Sequence, residues 1–185
     1  MEKILIIVDM QNDFIGGSLG SADAQAIVPH VVKKIYEFDG KTIICTADTH
    51  HDDYLSTQEG KNLPITHCIE GSFGWKLNDE VGIALDKADR QGRLFGSVCK
   101  NTFGSKDLPK IIYDLMSLHE IKEAELEIEL IGLDTDICVI SNALLLKAFF
   151  PEAKMKIDSK CCAGTSKAAH SAALKVAKSC QIEVI

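Results

Sequence analysis

The chain has 185 residues, 46% of them apolar and 25% charged: enough for one hydrophobic core, short for two, and unlike a disordered segment. A net charge of −7 without any dense basic cluster excludes nucleic acid and anionic membrane as expected partners, and no apolar run approaches the roughly eighteen residues of a membrane helix. Seven cysteines, an odd number, with no leader-like segment ahead of Met1-Glu2-Lys3-Ile4, point to thiols kept reduced in the cytoplasm.

In chain order, residues 4–8 are a continuous β-branched and leucine run, the pattern of a strand buried on both faces, and they end in Asp9-Met10-Gln11-Asn12-Asp13-Phe14. Polar groups at the carboxyl end of such a strand mark the usual site edge of an open α/β sheet. Gly16, Gly17, Ser18 and Gly20 make a loop. Residues 24–38 carry Ile27, Val31, Ile35 and Phe38 at helical spacing, with Pro29 either tolerated early in that helix or marking its start. Residues 42–46 read as a second strand, ending in Ala47-Asp48-Thr49-His50-His51. The loop beyond it carries Glu59, Gly60, Pro64, His67, Gly71 and Gly74, and a loop of that length in a compact domain is usually functional.

A short helix is expected over 78–84. A weaker strand over 94–98 follows, then Cys99-Lys100-Asn101-Thr102-Phe103-Gly104-Ser105 and a helix over 108–118. Residues 125–131 read as a strand, 136–150 as an apolar helix stopped by Pro151, 155–158 as a strand, 166–179 as the last helix and 182–185 as the final strand. Cys161-Cys162 lacks a paired Cys-x-x-Cys or a neighbouring His and reads as packing at a strand end. Strand and helix alternate, and the strands show no polar–apolar alternation. The expected fold is therefore α/β: a single doubly wound domain over residues 1–185, with a six-stranded, mainly parallel sheet and helices on both faces.

The strongest chemical signal lies in Leu130-Ile131-Gly132-Leu133-Asp134-Thr135-Asp136-Ile137-Cys138-Val139, where an apolar run stops at a glycine, bends and enters a helical pattern. Cys138 falls in the first helical turn, with Thr135 or Asp136 as N-cap. There the helix dipole and free N–H groups are expected to lower the thiol pKa and to hold an oxyanion. A cysteine on an apolar helix is, on its own, more often core filler. Asp9, Lys100 and Cys138, however, all stand just past the carboxyl ends of strands, which converge on one crevice in a doubly wound sheet. A carboxylate can take the thiol proton, and an ammonium can hold both the thiolate and the acid. Asp48, His50 and His67 offer a carboxylate and two imidazoles, which suit Zn²⁺, Mn²⁺ or Fe²⁺ better than Ca²⁺.

The motif Asp9-Met10-Gln11-Asn12-Asp13-Phe14, Lys100 in a loop ending Phe103-Gly104-Ser105, and Gly132-Leu133-Asp134-Thr135-Asp136-Ile137-Cys138-Val139 together resemble the isochorismatase-like cysteine hydrolase family, and within it the nicotinamidases. The resemblance covers essentially the whole chain. It implies an Asp9–Lys100–Cys138 triad that hydrolyses a small carboxamide, nicotinamide first among them, through a thioester. An oxyanion would rest on the backbone N–H groups of Asp134 and Cys138, with a cis bond between Leu133 and Asp134. Phe14 and Leu133 would belong to the substrate pocket. One divalent metal ion would be held by Asp48, His50, His67 and Glu59, with His51 as the rival fourth ligand, and it would bind the substrate's ring nitrogen. The resemblance also implies a homo-oligomer, dimer or tetramer. Related substrates are an N-carbamoyl compound or, further off, isochorismate. Two departures stand out: Pro64 occupies a place where the family often has a stacking aromatic, for which Trp75 or Phe73 could substitute, and Asp134 replaces a small residue beside the oxyanion hole. His30, His119 and His170 have no convergent partners in the sequence.

Overall fold

The computed structural model describes residues 1–185, the side chain of Leu94 excepted. One sheet is built from β1 (Glu2–Val8), β2 (Thr42–Asp48), β3 (Leu94–Lys100), β4 (Leu126–Gly132), β5 (Lys154–Cys162) and β6 (Glu183–Val184). All pair in parallel, in the order β3-β2-β1-β4-β5-β6. Seven helices accompany them: α1 (Asn12–Ile15), α2 (Ala22–Glu37), α3 (Gln58–Asn62), α4 (Asp79–Arg90), α5 (Leu108–Leu118), α6 (Ile140–Phe149) and α7 (Lys167–Ser179). Strand order reverses between β1 and β4, so the carboxyl ends of those two strands flank the crevice where doubly wound folds place their ligands.

The apolar run of β1 is explained by the two layers it separates. Leu5 and Ile7 join the core under α2 and α4, whereas Ile4, Ile6 and Val8 join the core under α5, α6 and α7. Each is almost wholly buried, and removing such a side chain from water contributes about 1.5–3 kcal/mol. β4 departs from the expected unbroken apolar character. Glu127 and Glu129 alternate with buried Leu126, Ile128 and Leu130, because cations lie opposite them: Lys156 is 3.0 Å from Glu127, and Lys34 of α2 is 2.6 Å from Glu129 and 2.8 Å from Asp158.

Helix boundaries follow side-chain chemistry. α2 starts at Ala22, where the Ser21 hydroxyl accepts the Ala24 N–H at 3.0 Å, and it runs through Pro29 rather than starting there. α4 extends beyond the expected residue 84 because Val81, Ala84, Leu85 and Ala88 form one buried stripe. β5 is longer than the expected 155–158 and includes Cys161 and Cys162, both buried as packing residues; all seven cysteines are free thiols. Among the described residues, no helix is long and apolar enough to cross a membrane.

At the reversal point, Gly132 has φ +118° and its Cα faces the Val8 carbonyl so closely that a Cβ would collide with it. Leu133 then donates its N–H to the Val8 oxygen at 2.9 Å. This close approach sets the residue after β1, Asp9, beside the turn that carries Cys138.

Candidate active site

Asp9 follows β1 in the left-handed region, with φ 48°, a conformation aspartate tolerates better than most residues. Its Oδ1 accepts the Thr46 hydroxyl at 2.6 Å, and its Oδ2 lies 2.7 Å from Lys100 Nζ. Lys100 is the last residue of β3 and its side chain is 1% exposed, so the ammonium must be satisfied inside the protein. It reaches Asp48 Oδ1 at 3.3 Å and donates to Cys138 Sγ at 3.4 Å. The acid, the cation and the sulfur from three distant segments thus share one buried cluster.

Their charges are mutually dependent. Burial opposes the Lys100 ammonium, yet Asp9, Cys138 and Asp48 together hold its pKa above the ordinary lysine value. Burial pushes the Asp9 carboxyl up, against the pull of Lys100. Cys138 differs from expectation. Burial, followed by the neighbouring Asp9, raises its thiol well above the usual range, outweighing Lys100.

The turn holding Cys138 also differs from the expected helix start. Residues Thr135–Val139 form one wide π-helical turn before α6 begins at Ile140. Neither Thr135 nor Asp136 caps it. Thr135 Oγ1 is engaged with His170 Nδ1 at 2.8 Å, and Asp136 accepts the Thr165 N–H at 2.9 Å and its hydroxyl at 2.6 Å. His170 therefore has a partner after all. The Leu133–Asp134 bond is cis. Asn142 holds the turn from below, donating to the Cys138 carbonyl at 2.8 Å while its Oδ1 accepts the Ser105 N–H at 2.8 Å.

Cys138 opens on a cavity of about 330 Å³. Phe14, Leu19, Leu63, Phe103 and Ile137 give it apolar walls, and Asp48, Glu59, His67 and Asp134 line it with polar groups. Phe14 lies on the cavity wall. Leu133 is not on the wall; it is fully buried in the core shared with α2 and α4. The aromatic absent at Pro64 is replaced by neither Phe73, which is exposed, nor Trp75, whose indole N–H bonds Thr49 Oγ1 at 2.9 Å. The second cavity aromatic is Phe103.

Asp48, His50, Glu59 and His67 offer ligand atoms that all lie within 4.8 Å of one another. Asp48 Oδ2 is 3.0 Å from His50 Nε2 and 3.5 Å from His67 Nε2, while Glu59 Oε1 is 3.6 Å and 3.9 Å from the same nitrogens. His67 Nδ1 is 2.8 Å from the Ile65 carbonyl, a contact that fixes the tautomer leaving Nε2 free to ligate. His50 Nε2 is buried without a hydrogen-bond partner of its own, a costly state that a divalent ion would relieve. The donor set therefore fits such an ion. His51 points elsewhere: it is exposed and faces Glu70 at 3.5 Å. Gln11, not singled out in the sequence, clamps the Asp48 backbone, donating to its carbonyl at 2.8 Å and accepting its N–H at 2.7 Å. Burial opposes ionisation of Asp48, but the two histidines and Lys100 keep its carboxyl well below the usual carboxylate range.

The model of the isochorismatase domain matches residues 3–185. The chain belongs to the isochorismatase family. Among curated proteins, none matches this family member. Its solved structural relatives include the nicotinamidase/pyrazinamidase PncA from Bacillus subtilis, 24% identical with a TM-score of 0.83, the match covering 100% of this chain and 99% of that one. The pyrazinamidase of Pyrococcus horikoshii in complex with zinc is 23% identical with a TM-score of 0.75, over 100% and 99% of the two chains. PnC1 from L. infantum in complex with nicotinate is 21% identical with a TM-score of 0.78, over 100% and 92%.

Within this isochorismatase domain, Asp134 is, among the described residues, an acid without a cation beside it. Burial, then the charges of Asp136 and Asp9, raise its carboxyl to about 7 from an ordinary 3.8. Between those values the folded protein holds a proton that the unfolded chain has released, so stability falls as pH rises through the window and levels off above it. Asp134→Asn carries no such penalty. Its urea midpoint is expected to exceed that of the wild type clearly at pH 8 and only slightly at pH 4; an equal difference at both values would contradict a buried, proton-holding carboxyl.

Proposed function

We propose that this isochorismatase-family hydrolase cleaves a small heteroaromatic carboxamide, nicotinamide or a close analogue, to the carboxylate and ammonia. The observation that carries the reading is the Lys100 ammonium lying 2.7 Å from Asp9 and 3.4 Å from Cys138 Sγ at the edge of a cavity sized for one small ring. Cys138 sulfur attacks the carboxamide carbon as Asp9 takes its proton, forming the C–S bond. The Asp134 and Cys138 N–H groups hold the resulting oxyanion; among the described residues the Asp134 N–H makes no other hydrogen bond. Asp9 returns the proton to the leaving nitrogen as the C–N bond breaks and ammonia departs. Water then attacks the thioester with Asp9 again as base, and the carboxylate leaves as sulfur regains its proton. Lys100 keeps the acid and the sulfur in register and balances the negative charge that passes between them.

Asp48, His50, Glu59 and His67 would hold a divalent ion, Zn²⁺, Mn²⁺ or Fe²⁺, supplying a Lewis-acid anchor for a substrate heteroatom. Structural relatives that are nicotinamidases and pyrazinamidases, one of them in complex with zinc, support this reading. Assembly into a dimer or tetramer is part of the same proposal.

The test is ammonia release from nicotinamide, pyrazinamide and N-carbamoyl compounds by metal-replete and metal-stripped protein. Turnover of the aromatic amides only when metal is present is expected; release from N-carbamoyl compounds alone would reassign the substrate. Independently of turnover, Zn²⁺ at a hundredfold excess over its dissociation constant should stabilise the fold by about 2.7 kcal/mol, a rise of about 5 °C or more in Tm. His67→Ala should largely remove that rise, and an undiminished shift would show that the ion binds elsewhere.

A further inference from the structure

Of the polar side chains on the cavity wall, Ser21, Asp48, Glu59, His67, Cys138 and Thr165 all have partners within the protein. The Asp134 carboxyl, among the described residues, makes neither a hydrogen bond nor an ion pair. The Asp134 backbone is also held in place. The Asp134 carbonyl accepts the N–H groups of Ile137 and Val139, each at 3.0 Å, the two residues that flank Cys138. The backbone of Asp134 is therefore tied into the turn that carries the sulfur, and its side chain lines the same cavity. Burial and then the charges of Asp136 and Asp9, which carry its own sign, act against its ionised form. Asp48 and Glu59 differ in this respect, since His50 and His67 stand opposite both.

A carboxyl that lines the cavity with no protein partner is satisfied by water, and a ligand that displaces this water must supply a donor or leave the acceptor unpaired. Apolar Phe14, Leu19, Leu63, Phe103 and Ile137 supply none. We propose that Asp134 is a specificity-determining residue that accepts a hydrogen bond from an amino or ring N–H group on the acyl part of the substrate. Amino-substituted heteroaromatic carboxamides are then better substrates than the unsubstituted ring. The proposal rests on the carboxamide reading above and names the substrate class within it. The reaction is unchanged: the donor group takes no part in bond making, and amide plus water still gives carboxylate and ammonia, which takes up the acid's proton as ammonium. A site built to receive a donor rejects the analogue lacking it far more strongly than an apolar pocket rejects a missing methylene, because the acceptor is left unpaired.

The experiment compares nicotinamide with its 2-amino and 6-amino derivatives. Metal-loaded wild type, Asp134→Asn and Asp134→Ala are assayed for kcat/KM, and Cys138→Ala with and without Asp134→Ala is titrated calorimetrically with the same ligands. The wild type is expected to favour one amino derivative by about tenfold or more. In Asp134→Ala the ratio should fall to near unity, mostly through a lower KM for nicotinamide, and the calorimetric affinities should follow the same pattern. If Asp134 instead served the leaving nitrogen, its replacement would slow all three amides equally in kcat, which would overturn the proposal. Equal affinity for plain and amino-bearing rings in the Cys138→Ala protein would overturn it as well. An amino derivative that binds more tightly through Asp134 but releases no ammonia would retain the specificity role and remove the carboxamide hydrolase reading.

Discussion

Replacing Cys138 with alanine is expected to lower ammonia release by about 10⁴-fold or more while leaving the fold unchanged. Loss of a nucleophile removes the covalent route, and what remains comes from binding and the oxyanion donors alone. The change is small in volume and sits at a cavity wall, so little packing is lost. The variant also loses the 3.4 Å contact from Lys100 to the sulfur, so unfolding midpoints should stay level or fall slightly. The decisive readout is single-turnover trapping: wild-type protein quenched in acid should carry an acyl adduct on residue 138, visible as a mass increase, and the variant should not. Persistent turnover in the variant would transfer the nucleophile's role to another group.

Lys100→Met is expected to have the second largest effect, on stability and activity together. The ammonium lies within 3.3 Å of both Asp9 and Asp48, and without it two buried carboxyls face each other. Removing one partner of such a cluster typically costs about 3–5 kcal/mol. The pH dependence follows from the same geometry. Burial already raises Asp9, and loss of the opposing cation raises it further. A raised carboxyl favours the folded state only while protonated, so the deficit should be larger at pH 8 than at pH 5. Urea melts of metal-stripped protein at the two pH values measure it, and a deficit that did not grow with pH would mean that the carboxyls find another partner. Turnover should fall with the fold intact at pH 5, because the acid and the sulfur lose their common neighbour.

Much of this arrangement could be read before any coordinates. Buried parallel strands carry long apolar runs, so β1 and β2 were plain in the sequence, and the alternation of strands with helices left few topologies. That topology is why Asp9, Lys100 and Cys138, about a hundred and thirty residues apart at the extremes, could be placed at one sheet edge. What escaped depended on tertiary neighbours. Thr135 and Asp136 look like caps until Thr165 and His170, from the segment after β5, engage them and the turn widens. The thiol of Cys138 follows burial and Asp9 rather than its helix, and burial is not written in a local window. Leu133 lies in the core and Phe103 on the cavity wall for a similar reason: a residue's distance along the chain from the sulfur says little about which wall it faces. The glutamates of β4 were visible, but the lysines opposite them were not assignable without the sheet register.

The two oxygens of Asp48 look in opposite directions, one toward Lys100 and the other toward the histidines. A single side chain thereby yokes the lysine–sulfur cluster to the histidine pocket, two groups that could otherwise drift apart under mutation. Any lineage that abandoned the histidine pocket while keeping the sulfur chemistry would also have to find a new counterweight for the ammonium. Conversely, a change made to suit a different ion would be felt at the nucleophile, one carboxylate away.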